Sequence, residues 1–165
     1  MIDKYIEQYG RRLYGLCVTL CKNKYDAEDL YQDTWLKVVK YIDKYNNEYD
    51  FEPWLARICV NTYKNTLRRF INSPIFNGFK NEQEKENIIN KIAQKQDEDY
   101  SDLHKAIDKL PEKFRIVVIL FYFEGMDIKM TSKVIGIPEG TVKSRLSKAR
   151  SMLKESLKYE TNLQF

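Results

Sequence analysis

The sequence predicts an all-α protein built as two small helical domains, and three observations carry that prediction. Apolar residues recur at steps of three and four along most of the chain. Glycine and proline are sparse, 6 and 4 of 165 residues, which suits helices more than turn-rich sheets. The periodicity then fails across residues 71–100, dividing the chain into two stretches, each long enough for one small core.

Ile2, Ile6, Tyr9, Leu13, Leu16 and Leu20 form one face of a helix. Asn23-Lys24 interrupts it, and Asp26 is the expected N-cap of a second helix with Ala27, Leu30, Thr34, Val38 and Ile42 on its apolar face. Tyr31 and Trp35 stand beside that face. A polar loop over residues 46–50 precedes a third helix, with Pro53 in its first turn, that runs to about Phe70. Residues 71–102 collect Asn, Gln, Glu and Lys and read as an acidic linker, flexible or partly helical. Leu103, Ala106, Ile107 and Leu110 reopen the periodicity, Pro111 starts the next helix and Gly125 ends it. The run from Ile116 to Phe123 has strand propensity, but no partner strand accompanies it, so a buried helix is preferred. The expected domains are therefore residues 1–70 and 103–160.

The net charge of +4 is modest, but its distribution is informative. Residues 1–70 carry 12 basic and 10 acidic groups, residues 71–102 carry 4 and 7, and residues 103–165 carry 12 and 7. Positive charge thus gathers in the second domain. The N-terminus, Met1-Ile2-Asp3-Lys4-Tyr5, lacks the apolar run of a signal peptide, and Ile116 to Phe123 is far short of the ~20 residues of a membrane span. With three cysteines in such a chain, a reducing cytoplasm is the expected compartment. Cys17 and Cys21 stand one helical turn apart, as a metal pair would. The single histidine, His104, is remote, so small core residues are the better reading. One distant histidine allows no Ser-His-Asp set, and no phosphate-binding glycine loop occurs. Neither catalysis, a cofactor nor a small-molecule substrate is expected.

Two segments point to nucleic acid. Residues 127–135 form a short helix capped by Asp127, and Gly136-Ile-Pro-Glu-Gly-Thr-Val-Lys-Ser-Arg-Leu-Ser-Lys-Ala-Arg150 then passes through a turn into a second helix. Val142, Leu146, Ala149, Leu153 and Leu157 line one side of it, while Ser144, Arg145 and Lys148 point away. Helix, glycine turn and basic helix is the pattern of a helix-turn-helix, whose second helix enters the DNA major groove. In the third helix, Arg57, Asn61, Lys64 and Arg68 lie within about 40° of a common line. Trp54 borders that line, with Tyr49 and Phe51 just before it. Basic groups beside exposed aromatic rings suit a single strand, although a solvated polar face over a core Trp54 would read the same way. A third segment is acidic: Asp26, Asp29 and Asp33 share a face of the second helix. A carboxylate-bridged metal site would need Glu-x-x-His partners, which are missing, so an acidic docking face is preferred.

Asp26-Ala-Glu-Asp-Leu-Tyr-Gln-Asp-Thr-Trp-Leu-Lys-Val38 and Phe51-Glu-Pro-Trp-Leu-Ala-Arg-Ile-Cys-Val-Asn61 resemble region 2 of the sigma-70-class sigma factors, in the variant of the extracytoplasmic function (ECF) group. Leu110-Pro-Glu-Lys-Phe-Arg115, Glu124-Gly125 and residues 137–150 resemble region 4 of the same group. The resemblance covers nearly everything outside the linker. It implies a bacterial transcription initiation subunit that binds core RNA polymerase through its β′ clamp helices and β subunit and directs it to promoter DNA. Carried over by position, Asp26, Glu28, Asp29, Gln32 and Asp33 would dock on the β′ clamp helices. Asn46, Asn47, Tyr49, Asp50, Trp54, Arg57, Asn61 and Lys64 would hold the melted strand at the −10 element, where a flipped base can be read on its edges. Thr141, Lys143, Ser144, Arg145 and Lys148 would meet the −35 element. The linker would run toward the RNA exit path. An anti-sigma factor covering the same faces, and tying the protein to the membrane when it is itself membrane-bound, is a further implied partner.

The chain departs from the family in two places. Thr131 and Ser132 stand where an apolar pair is usual, so their hydroxyls need hydrogen-bond partners. The −10 loop is rich in Asn and Tyr rather than basic and glycine-containing. A helix-turn-helix regulator that is no polymerase subunit is the alternative; it would leave residues 26–69 without a role.

Overall fold

The computed structural model describes residues 1–72 and 102–163, with side-chain surroundings to residue 158. Among the described residues the only regular elements are helices, as expected, and they form two compact units. Apart from Ile71, Asn72 and Asp102, which belong to helix ends, the expected linker lies outside the described residues.

The first unit packs α1 (Ile2–Leu20), α2 (Lys24–Tyr41) and α3 (Phe51–Ile71) against one another, with a short 3-10 turn at Ile42–Lys44 after α2. Its core joins Leu13, Leu16, Cys17 and Leu20 to Ala27, Leu30, Val38, Leu55, Ala56, Cys59 and Val60, all buried. The periodic face of α1 is buried only in its second half, and Ile6 is exposed. The first half is held instead by rings: Tyr5 and Tyr9 lie 4.3 and 4.9 Å from Phe51. Gly10 allows a close approach where α1 meets α2: a Cβ there would stand 2.9 Å from the Tyr31 hydroxyl, which would have to shift. All three cysteines are buried, with Cys17 and Cys59 Sγ atoms 3.8 Å apart between α1 and α3.

The start of α2 corrects one expectation. Asn23, not Asp26, is the N-cap: its Oδ1 accepts from the Asp26 amide at 2.9 Å. Its Nδ2 in turn donates to the Asp26 carboxylate at 2.6 Å. Asn23 is the last residue with extended backbone, so the cap falls there. Asp26 takes the third helical position, where a carboxylate also meets the favourable end of the helix dipole.

The second unit contains α4 (Asp102–Asp108), α5 (Glu112–Val118), a π-helical turn (Ile119–Phe123), most of α6 (Ile128–Ile135) and α7 (Glu139–Leu163). Ile107, Leu110, Val118 and Ala149 form its core cluster, with Phe114, Met152 and Leu153 packed on it. Arg115 is fully buried, its guanidinium facing Asp108 at 3.6 Å and Glu112 at 3.5 Å, as a buried charge requires. The apolar run is helical but not buried to its end. The wide turn, closed by Glu124 N–H on Ile119 O, leaves Tyr122 and Phe123 exposed. Leu103, expected on the buried face, is exposed in the first turn of α4.

Buried threonines separate into two kinds. Thr34 and Thr62 donate to the carbonyls of Leu30 and Ile58, each at 2.6 Å. Thr131 is equally buried, yet among the described residues its hydroxyl has no hydrogen-bond partner. Thr131→Val should therefore stabilise the protein by about 1 kcal/mol, since an unpaired hydroxyl is replaced by a methyl of similar shape. Thermal unfolding followed by circular dichroism checks this; an unchanged or lower midpoint would mean that the hydroxyl is satisfied.

Candidate nucleic-acid interfaces

The turn between α6 and α7 is fixed by local chemistry. Asp127 accepts from the Met130 amide at 2.7 Å and starts α6. Gly136 ends it in the left-handed region, φ 80°, where a side chain would be strained, and its amide donates to Ser132 O at 2.8 Å. The Ser132 hydroxyl donates to Ile137 O, so of the unusual Thr131–Ser132 pair the serine is satisfied in the turn itself. Pro138 O then accepts from Val142 N at 3.1 Å as α7 begins.

On α7, Val142, Leu146 and Ala149 are buried, while Lys143, Ser144 and Lys148 are exposed and Thr141 and Arg145 half-buried. At about 100° per residue, Thr141, Ser144, Arg145 and Lys148 share one arc, and Lys143 stands apart on the opposite flank. The Ser144 hydroxyl donates to Thr141 O at 3.0 Å, which leaves its oxygen free to accept. Arg150 is otherwise engaged: its Nε donates to the Tyr122 hydroxyl at 2.6 Å, and its guanidinium lies 5.6 and 6.0 Å from the Tyr122 and Phe121 rings.

In the first unit, Arg57, Asn61 and Arg68 are exposed along α3, with Lys64 half-buried on the same line. Beyond them Asn65, Arg68, Arg69 and Asn72 border an open cavity. Trp54 is half-buried, its ring 5.0 Å from Tyr45 and 5.5 Å from Phe51. Phe51 corrects the expectation of an exposed ring, because as the first residue of α3 it is buried under Tyr5 and Tyr9. Tyr49 is 68% exposed and does present its ring to solvent. Asn46, Asn47 and Asp50 are exposed around it.

The loop has internal order. Asn46 accepts from Tyr49 N through its backbone and from Glu48 N through its side chain, both at 3.1 Å. Tyr45, which the sequence reading did not single out, donates its hydroxyl to Tyr49 O. Burial, and then the neighbouring Tyr5, Tyr9 and Asp50, push the Tyr45 phenol above its ordinary 10.0.

On α2, Asp26, Asp29, Gln32 and Asp33 are exposed, and half-buried Glu28 lies 4.0 Å from Lys24. The same face exposes Tyr25, Leu36 and Val39, at 74%, 68% and 56%. These three escaped the sequence reading. Their signal was a second apolar stripe, 25-29-32-36-39 in steps of four and three, with Asp29 and Gln32 interrupting it.

Comparison with known proteins assigns the chain to a family. Residues 5–70 match the model for sigma-70 region 2, and residues 100–153 match that for sigma-70 region 4. The chain belongs to the sigma-70 class of RNA polymerase sigma factors, in its ECF group. It is 30% identical over 163 residues to the ECF RNA polymerase sigma factor SigE of Mycolicibacterium smegmatis, covering 94% of this chain and 61% of the relative. It is 29% identical to the RNA polymerase sigma-H factor of Pseudomonas aeruginosa, covering 94% and 85%. Among solved structures, the sigma factor RpoE of Bartonella quintana, determined with the anti-sigma factor NepR, shares the fold with a TM-score of 0.72. That match is 24% identical and covers 95% of this chain and 96% of the other.

Proposed function

We propose that this chain binds core RNA polymerase and directs it to promoters by recognising −10 and −35 elements. The observation that carries this reading is the pairing of two different candidate nucleic-acid faces: a helix-turn-helix suited to duplex DNA, and the exposed Tyr49 loop beside the basic line of α3, suited to a single strand. Initiation needs both. A regulator outside the polymerase would use the first and leave the α3 face and the region 2 match unexplained. The chain contributes DNA and polymerase contacts, and the polymerase supplies the chemistry.

Residues 1–70 form the polymerase- and −10-binding domain in this reading, residues 71–102 the linker and residues 103–160 the −35-binding domain. The α2 face suits docking on the β′ clamp helices, because exposed apolar side chains ringed by carboxylates fit a partner that is apolar at its centre and basic at its rim. Among the described residues no helix is long and apolar enough to cross a membrane. The place of action in this reading is the cytoplasm, with an anti-sigma factor as the inhibitory partner, one that would tie the chain to the membrane when it is itself membrane-bound.

Transcription in vitro with core RNA polymerase on genomic template tests the reading. Discrete starts that require the chain are expected; their absence on every template would overturn it.

A further inference from the structure

We infer that Tyr45 is a positioning residue for base recognition at the −10 element: it holds the loop of residues 46–50 in the shape that presents Tyr49 to the melted strand. The inference rests on the promoter reading above and adds a residue that touches no DNA in it.

The geometry is that of a strut. The Tyr45 ring lies 5.4 Å from Phe51, edge to face, and 5.0 Å from Trp54. Phe51 is clamped in turn by Tyr5 and Tyr9, so the base of the strut belongs to the core of the first unit. From that base the hydroxyl reaches across the loop to Tyr49 O. The carbonyl it holds belongs to the residue whose ring stands in solvent. Asn46 closes the loop from the other side through its two 3.1 Å acceptor contacts. Asp50 caps α3 without a side-chain hydrogen bond to it. The α3 helix end therefore does not anchor the loop through Asp50, and the Tyr45 and Asn46 contacts define its shape. Glycine is absent from residues 46–50, so the loop depends on these bonds rather than on a glycine turn.

Ordering matters because a base captured from a melted strand is bound by a preformed surface or must order that surface first. A held loop lowers the ordering cost and fixes which base edge meets Asn46, Asn47 and Asp50. Losing the strut leaves the stacking ring in place but frees the carbonyl behind it. Selectivity should fall more than overall affinity.

The test compares wild type, Tyr45→Phe and Tyr49→Ala in holoenzyme transcription from a template pool randomised across the promoter. Tyr45→Phe keeps the ring and removes only the hydroxyl, whereas Tyr49→Ala removes the stacking ring itself. Tyr45→Phe should lose about fivefold in base preference at one or two −10 positions, the scale of one hydrogen bond, while Tyr49→Ala should weaken transcription from all templates, because stacking is sequence-tolerant. Preferences at −35 and association with core polymerase should be unchanged. An unaltered −10 pattern in Tyr45→Phe overturns the inference. So does an equal loss of transcription on all templates by that variant, which would mark a merely structural role. If wild type itself selects no −10 pattern, the promoter reading falls, and Tyr45 with it.

Discussion

Leu36→Lys should weaken association with core RNA polymerase by about 2 kcal/mol or more, roughly thirtyfold, while leaving the fold intact. Leu36 is 68% exposed on α2, on the same face as Val39 and Tyr25, and the core of the first unit does not use it. An apolar group left in water on a helix surface gains little until a partner covers it. Once covered, it is worth ~1.5–3 kcal/mol, and a lysine placed there must also be desolvated. Asp29→Lys acts on the same face by another route. It reverses a charge at the edge of the apolar stripe, so it should slow association and blunt its salt dependence. Fluorescence titration of labelled protein with core polymerase measures both, and circular dichroism verifies the fold. Wild-type binding by Leu36→Lys would move the docking surface away from α2.

Arg145→Ala should cost ~1–3 kcal/mol of −35 binding and flatten preference at one base position. Arg145 shares its arc of α7 with Thr141, Ser144 and Lys148, half-buried at the edge of that arc nearest Ala149. Lys148→Ala should instead weaken all sequences alike and lower the salt slope by about one. Lys143, on the opposite flank, should behave as Lys148 does. Titration of duplexes carrying single −35 substitutions, at two salt concentrations, separates the two behaviours. Undiminished discrimination by Arg145→Ala would reduce it to a phosphate contact.

The helices, the turn at Gly136 and the basic face of α7 were legible because each rests on local chemistry: a period, a cap, a left-handed glycine. What escaped depends on residues far apart in sequence. Phe51 lies in a polar neighbourhood and looks exposed, yet Tyr5 and Tyr9 arrive from α1 to cover it. Tyr45 looks like one of 12 scattered tyrosines until its hydroxyl is seen to meet Tyr49 O. The stripe of Tyr25, Leu36 and Val39 is periodic, but a helix with two apolar stripes does not say which one faces the core. Packing of Leu30, Thr34 and Val38 against α1 and α3 decides it. Asp26 lost the cap to Asn23 because both are good capping residues three apart, and sequence alone ranks them poorly.

In the proposed −35 reading, the length of the α7 arc sets how long a word this protein would read. The arc runs from Thr141 to Lys148, and Arg150, on the flank of Lys143 and held by Tyr122 and Phe121, does not extend it. At ~1.5 Å per residue that is about 10 Å of helix axis. Bases in a strand repeat every ~3.4 Å, so the helix spans roughly three of them.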